Sequence, residues 1–226
     1  GIVRINVVTI FPAFFEEPLR TSIPGRAAKA GVAEYRVVDL RDYTHDRHRT
    51  VDDEPYGGGA GMVMKPEPFF EAVDALEPKG PIVLLSPSGR QFDHETAVRF
   101  SLQEEVTLLC GHYKGVDERV ETGLATEELS IGDYVLSGGE PAALVVVDAV
   151  VRLLPGAMSD HESAAGDSFY DGLLAPPAYT RPAEYRGMKV PEVLRSGDHR
   201  RIAEWRHDEA ERITRLRRPE LWERED

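Results

Sequence analysis

Residues 129 to 156 read LSIGDYVLSGGEPAALVVVDAVVRLLPG, and this stretch decides the fold of the chain. It begins with a glycine-punctuated turn at 131–134, passes through a double glycine at 138–139 into an apolar run, and stops at Pro155-Gly156. These boundaries predict a helix across the apolar run, with Arg152 near its C-terminal end. Glycines ahead of a helix let backbone N–H groups approach a ligand closely. Taken alone, the stretch is better explained as a turn leading into a core helix.

The composition is that of an ordinary soluble globular chain. The 226 residues are 41% hydrophobic and 30% charged, which suits one large domain or a main domain with an appendage. No run of about 18 apolar residues and no N-terminal hydrophobic segment is present, so neither a membrane span nor a signal peptide is predicted. The single cysteine, Cys110, fits a cytoplasmic location, and its apolar neighbours predict a core residue rather than a nucleophile.

The net charge of −13 argues against nucleic acid, but the charges are unevenly distributed. From residue 181 onward, Lys and Arg nearly balance Asp and Glu, and almost all of the cations are arginines. The planar guanidinium suits phosphate recognition. The competing interpretation, a solvated helix laced with ion pairs, is favoured by composition alone.

Short apolar strands alternate with helical segments over the first 131 residues. Strands are predicted at 2–10, 34–40, 81–85, 106–110 and 127–131, and helices at 13–19, 24–30, 66–76, 93–102 and 116–122. This alternation predicts an α/β fold with a largely parallel sheet, whose ligands bind beyond the carboxyl ends of the strands. The turns at 86–89, 111–115 and 131–136 follow such ends. None matches GxGxxG or a P-loop, so the sequence predicts a small-molecule site made of exposed backbone.

The sequence changes character after Gly156. Residues 157–171 are small, polar and aperiodic, which predicts a linker or a functional loop. Helices are predicted at 191–196 and 199–216, with a short one from Pro219. The predicted organisation is an α/β domain at 1–156, a linker at 157–171 and a small helical domain at 172–226.

The segment 45–64, HDRHRTVDDEPYGGGAGMVM, combines basic residues, a glycine run and Tyr56. Such a combination suits a single-stranded or looped nucleic acid, and the glycines would let it approach the backbone. A disordered surface loop is the alternative. The His and Asp spacing here matches no metal-binding pattern, and no metal site is predicted.

Several motifs together resemble the TrmD family of bacterial tRNA (guanine-N1)-methyltransferases, in the family's order and spacing from residue 8 to about residue 221. They are the 45–64 segment, LLSPSGR (84–90), CGHYKGVDERV (110–120), LSIGDYVLSGGE (129–140), RLLPG (152–156), DSFYDGLL (167–174) and YTRPAEYRG (179–187). The resemblance implies a cytoplasmic, homodimeric SPOUT-class enzyme whose α/β domain contains a trefoil knot, which general folding rules would exclude. It implies methyl transfer from S-adenosylmethionine to N1 of the tRNA guanosine just 3′ of the anticodon (guanosine-37), and a tRNA-binding role for the helical domain.

The resemblance assigns catalysis to Asp167 and Arg152. N1 of guanine carries a proton at neutral pH, so methylation needs a base and a group that stabilises charge on O6. The ESAxxDSF pattern of the family assigns the role of base to Asp167. Without the resemblance, Asp167 would be interpreted as an exposed linker carboxylate. The RxxPG pattern of the family assigns to Arg152 the role of the cation that faces O6. Without the resemblance, Arg152 would be interpreted as a cation that compensates the helix dipole.

The resemblance also assigns binding residues. Contacts with S-adenosylmethionine fall to Leu85, Ser86, Pro87, Gly111, Tyr113, Ile131, Gly132, Asp133, Tyr134, Val135, Leu136, Gly138 and Gly139. Substrate binding falls to Asp52, Tyr56, Gly57, Gly58, Gly59 and Ser168.

The chain departs from the family's pattern at a few positions. His112 and Lys114 replace the Arg and Glu of CGRYEG, and Ala175 replaces an acidic residue after GLL. The family ties those carboxylates to Mg²⁺, which puts a Mg²⁺ requirement in doubt here. The open alternatives are a SPOUT RNA methyltransferase with another target base, and a non-catalytic RNA-binding relative.

Overall fold

The computed structural model describes residues 1–159 and 163–223. By its internal contacts the chain divides into two compact units, Gly1–Glu162 and Ser163–Asp226. The stretch expected to be a linker, 157–171, falls on both sides of this division, and its residues 160–162 lie outside the described residues.

The first unit alternates strands and helices. Its strands are β1 (Val3–Thr9), β2 (Ala33–Asp39), β3 (Asp52–Asp53), β4 (Val63–Met64), β5 (Ile82–Gln91), β6 (Glu105–Cys110) and β7 (Glu127–Ser130). Its helices are α1 (Glu16–Arg20), α2 (Ser22–Lys29), α3 (Pro66–Leu76), α4 (His94–Ser101), α5 (Glu118–Gly123) and α6 (Glu140–Val151), with 3-10 turns at Pro12–Phe15 and Leu40–Tyr43. As predicted, the main sheet is parallel, and its strand order is β2-β1-β6-β5-β7.

Both faces of this sheet are covered, which explains why its central strands read as unbroken apolar runs. On β1, Val7 packs into a core shared with α4 and α6, whereas Val8 packs into a second core with α3 and α5. On β6, Leu108 and Leu109 divide between the two cores in the same way. The period of two along a strand therefore sends alternate side chains to opposite layers of helices.

One predicted boundary needs correction. Residues 86–89 were expected to be a turn, but β5 continues to Gln91. Its pairing with β7 is interrupted after Leu85 and resumes at Arg90, so the Ser-Pro-Ser-Gly sequence forms an irregularity inside a strand. The segment 45–64, for which a disordered surface loop was the alternative interpretation, contains the antiparallel ladder in which Asp52 pairs with Met64.

The second unit is built around one long helix. It contains a 3-10 turn at Ala164–Gly166, a hairpin of β8 (Glu184–Tyr185) and β9 (Met188–Lys189), a 3-10 turn at Glu192–Arg195, α7 (His199–Arg217) and α8 (Pro219–Trp222). The segment 191–196, expected to be helical, contains a 3-10 helix at Glu192–Arg195, whereas the hairpin was not expected. Asp198 caps α7 by accepting from the N–H of Arg201 (3.2 Å). Inside the unit, Thr214 Oγ1 accepts from the N–H of Leu174 (2.9 Å).

Candidate active site

A cavity of about 330 Å³ opens at the carboxyl ends of three adjacent strands, β6, β5 and β7. The irregular segment 86–88 within β5, the turn after β6 and the turn after β7 each form one wall, and the loop leading into α6 forms the fourth. This is where the parallel sheet predicted a ligand. The lining comprises Leu84, Leu85, Ser86, Pro87, Ser88, Gly111, His112, Tyr113, Lys114, Gly115, Val116, Glu118, Glu121, Glu128, Leu129, Ser130, Ile131, Gly132, Tyr134, Val135, Leu136, Ser137, Gly138, Gly139 and Ala142.

Nearly all of the residues expected to contact the cofactor line this cavity. The exception is Asp133, which is exposed and does not line it. The expected set did not include His112, Lys114 or the glutamates of the rim, although His112 and Lys114 lie within the CGHYKG motif. The rim glutamates come from α5 and β7, and their convergence depends on the sheet order, which the sequence pattern does not contain.

The double glycine before α6 is packed against the turn that follows β6. The N–H of Gly139 donates to the carbonyl oxygen of Gly111 (3.0 Å), and Gly138 forms a β-bridge with His112. A Cβ on Gly138 would lie 2.6 Å from Glu140 Oε2 and closer still to His112 Nδ1. Neither position 138 nor 139 has a positive φ. These glycines are therefore required by close packing.

Glu140 lies beneath this contact and is buried, with 3% of its surface exposed. It is the first residue of α6, where the helix dipole favours an anion. Its Oε1 accepts from Thr9 Oγ1 (3.1 Å), which ties α6 to the end of β1. Desolvation, and secondarily the Glu140 carboxylate, raise the pKa of the buried Cys110 thiol. Cys110 is a core residue, as predicted.

His112 packs between two aromatic rings under the cavity. Its ring centroid lies 5.1 Å from that of Phe11 and 5.0 Å from that of Tyr113, both edge-on. Within the described part of the chain, its Nδ1 is buried without a hydrogen-bond partner. The imidazole therefore fills the space under the double glycine.

The loop after β7 is held by its own hydrogen bonds. Ser130 Oγ donates to the carbonyl oxygen of Gly132 (2.9 Å) and accepts from its N–H (3.1 Å). A Cβ on Gly132 would lie 2.5 Å from Tyr134 Cε1, so the tyrosine ring covers this glycine. Tyr134 and Val135 remain exposed, and Val135 has 85% of its surface accessible.

The rim of the cavity is charged. Glu118, Glu121 and Glu128 line it together with Lys114. Desolvation and the neighbouring Glu128 and Glu118 carboxylates raise the pKa of the Glu121 carboxyl. The rim therefore has an excess of negative charge, with one ammonium group near it.

The glycine run 57–61 lies beside Lys114. The N–H of Lys114 donates to the carbonyl oxygen of Met62 (3.0 Å), and a Cβ on Gly61 would collide with the lysine stem. Gly57, Gly58 and Gly59 have positive φ and open space around them. Tyr56 is fully exposed, and Asp52 is half-buried in β3. None of these expected substrate residues lines the cavity.

The two residues expected to be catalytic belong to different units. Arg152 is half-buried and directly follows α6, where its N–H donates to the carbonyl oxygen of Asp148 (3.3 Å). Asp167 is half-buried after the 3-10 turn of the second unit, and its N–H donates to the carbonyl oxygen of Ala164 (3.1 Å). Next to it, Ser168 Oγ accepts from the N–H of Ala175 (2.9 Å), which closes the 167–175 segment into a loop.

Among the residues that the structure describes, no three His, Cys, Asp or Glu side chains are grouped so that they could hold a metal ion. The donor set thus gives no support for Mg²⁺. No helix in the described ranges is long and apolar enough to cross a membrane.

Comparison with known sequences identifies the family. The profile described as tRNA (Guanine-1)-methyltransferase TrmD matches residues 3–224. A tRNA (guanine-N(1)-)-methyltransferase of Persephonella marina is 56% identical over 99% of this chain and 89% of its own length. Proteins of the same name from Lacticaseibacillus paracasei and Geobacillus kaustophilus are 53% and 50% identical, each over 96% of this chain and over 86% and 91% of their own lengths. The chain therefore belongs to the tRNA (guanine-1)-methyltransferase TrmD family.

Proposed function

We propose that this protein methylates N1 of guanosine-37 in tRNA, with S-adenosylmethionine as the methyl donor. One observation carries the proposal: in a chain of this family, the irregular segment 86–88 of β5 and the glycine-containing turns after β6 and β7 converge on one cavity. The family indicates the reaction, and the cavity provides a place for the methyl donor.

The residues of the cavity fit S-adenosylmethionine. The volume of about 330 Å³ lies at the lower end of the usual range of ligand pockets, about 300–1,000 Å³. Backbone groups at 85–87, 111 and 131–138 suit the adenine edge, and the carboxylates of Glu118, Glu121 and Glu128 suit the cationic and hydroxyl groups of the ligand. When bound, S-adenosylmethionine supplies a methyl group on a positively charged sulfur. The packed double glycine fixes the wall on which it would rest.

The proton on guanine N1 has to be removed as the methyl group is accepted. We assign this step to the Asp167 carboxylate, which takes the proton as general base. The Arg152 guanidinium offsets the negative charge that develops on O6, in the manner of an oxyanion-stabilising donor. Since transfer to N1 is a displacement in line with the bond being broken, fixed positions of the reacting groups contribute most of the rate.

The assembly is part of the same proposal. A homodimer in the cytoplasm would let Asp167 of one subunit serve the cavity of the other. A trefoil knot in the first unit would follow from the family, and the hydrogen bond from Gly139 to Gly111 is the kind of contact that would tie its two loops. The second unit contributes α7 and its arginines to tRNA binding.

The test is the variant Asp167→Asn, which keeps the size of the side chain and removes the base. We expect it to abolish methyl transfer to a tRNA transcript while titration with S-adenosylmethionine gives a nearly unchanged Kd. Asp171→Asn is the matched control, because Asp171 is in the same loop but its carboxylate accepts from the N–H of Leu173 (3.2 Å). Turnover at the wild-type rate by Asp167→Asn would remove the base assignment.

Arg152→Ala tests the second role. We expect kcat to fall by on the order of 100-fold or more, as it does on loss of an oxyanion-type donor. Arg20→Ala is the control, since that guanidinium is exposed and paired with Glu17 (2.6 Å). An unchanged kcat in Arg152→Ala would show that Arg152 does not act on the reacting base.

A further inference from the structure

Strand β8 and the turn after it belong to the YTRPAEYRG motif (179–187), and the mechanism above gives the β8–β9 hairpin no role. Tyr185 pairs directly with Met188, and Arg186 and Gly187 form the turn between them. Both turn residues have positive φ, +51° at Arg186 and +77° at Gly187, as in the tight turns that match the twist of a hairpin. The hairpin is therefore a short, geometrically defined projection.

The tip of this hairpin exposes apolar surface. Tyr185 has 58% of its surface accessible and Met188 66%, and the two side chains are cross-strand neighbours. The Arg186 guanidinium lies over the Tyr185 ring, 5.3 Å from its centroid. The tip thus presents an aromatic ring and a guanidinium stacked together, without cover from the rest of its unit.

The backbone conformation at Arg186 is unfavourable for an arginine. A left-handed φ is unfavourable for a side chain such as arginine, whereas Gly or Asn adopts it readily. A strained residue in a two-residue turn that glycine would satisfy points to a use for its side chain.

Charge favours nucleic acid as the partner. The chain has 40 acidic residues against 27 basic ones, so an arginine without an acidic partner is unexpected. Yet Arg186 forms no ion pair with any described residue, and the same holds in this unit for Arg181, Arg195, Arg201, Arg206 and Arg217. By contrast, Arg200, Arg212, Arg215 and Arg218 are each paired with a glutamate.

We infer that the β8–β9 hairpin is an RNA-contacting element of the second unit. An unpaired nucleotide of the tRNA stacks on Tyr185, and the Arg186 guanidinium binds an adjacent phosphate. Aromatic side chains hold unstacked bases in this way, and arginine binds phosphate through its planar fork. This inference rests on the proposed function in that it takes tRNA as the ligand.

The variants are Tyr185→Ala, Tyr185→Phe and Arg186→Gly, each titrated with an unmodified tRNA transcript. We expect Tyr185→Ala to weaken tRNA binding by about tenfold, because stacking contributes about 1–3 kcal/mol per base. Tyr185→Phe keeps the ring and should bind nearly as wild type does. Arg186→Gly relieves the strained backbone, so thermal stability should hold or rise while the dependence of log Kd on log salt falls by about one.

Arg20→Ala is the matched control for charge, since that arginine is exposed and already paired with Glu17. The inference would be overturned if Tyr185→Ala and Arg186→Gly both bound tRNA with the wild-type Kd. So would a change of oligomeric mass by light scattering with an unchanged tRNA Kd, which would make the hairpin a protein contact. Methyl transfer by the wild-type protein is measured with the same protein and tRNA transcript. Methylation of the transcript together with unchanged tRNA binding by the variants would count against the inference alone, whereas no methylation would count against the proposed function.

Discussion

Residues 57–61 and residues 132–139 are both rich in glycine, but the structure uses glycine in them for opposite reasons. At Gly57, Gly58 and Gly59 the backbone is left-handed and a Cβ would meet nothing within 4 Å. At Gly132, Gly138 and Gly139 φ is not positive, and a Cβ would lie within 3.0 Å of neighbouring atoms. Positions 57–59 need freedom of the backbone, whereas positions 132, 138 and 139 need the absence of a side chain.

This difference separates two tasks. A stretch whose glycines are packed holds a fixed wall, as a small ligand of defined shape requires. A stretch whose glycines are open can adapt to a larger partner, as a looped nucleic acid requires. Substitutions that add the same methyl group in both stretches should therefore have unequal effects.

Gly138→Ala should have the largest effect. Its Cβ would overlap His112 Nδ1, which packs between Phe11 and Tyr113, and would lie 2.6 Å from the buried carboxylate of Glu140. Overpacking of this kind costs about 1–3 kcal/mol, which is up to roughly 100-fold in affinity if the strain falls on the bound state. Titration calorimetry measures the change in affinity for S-adenosylmethionine, and a thermal melt measures the change in folding stability. Binding as tight as that of wild type would show that the wall is not fixed.

Gly61→Ala should have an intermediate effect. This position combines a positive φ (+89°) with a collision, but the obstacle is the flexible stem of Lys114. We expect a loss of S-adenosylmethionine affinity of about threefold, which Lys114→Ala should partly restore in the double variant. A double-mutant cycle detects such coupling as about 0.5–3 kcal/mol. Additive effects would mean that Lys114 does not take up the displacement.

Gly58→Ala should have the smallest effect. With φ at +79° and no atom in the way, the cost is the left-handed backbone alone, about 1 kcal/mol of folding stability. The Kd for S-adenosylmethionine should not change. Gly58→Asn is the matched control, since asparagine tolerates this conformation and should cost less than alanine. A loss of donor binding in either variant would contradict the assignment of residues 57–59 to the nucleic acid.

Much of the first unit could be predicted from local chemistry. Helix α3 has the predicted bounds, Pro66–Leu76, because Pro66 at its start and the apolar spacing that follows fix both ends. Asp93, where this helix was predicted to begin, caps α4 by accepting from the N–H of Thr96 (2.9 Å). These helix ends depend on residues that are close together in the sequence, so they can be predicted from the sequence alone.

The features that were missed depend on distant contacts. β5 continues through Ser86 and Gly89 because the backbone of Gly89 packs against that of Glu128 on β7. The ladders β3–β4 and β8–β9 have two residues per strand, too few for a periodic pattern. At the site, the glycine loops were recognisable in the sequence, but Glu118, Glu121 and Glu128 reach the cavity only through the order of the strands.

The most direct measurement is the position of the methyl group after reaction with a tRNA transcript. Two transcripts are compared, one with guanosine at position 37 and one with adenosine there, with labelled S-adenosylmethionine as donor and nucleoside analysis of the product. We expect N1-methylguanosine from the first transcript and no methylated nucleoside from the second. Equal incorporation into both transcripts, or methylation of another base, would contradict it.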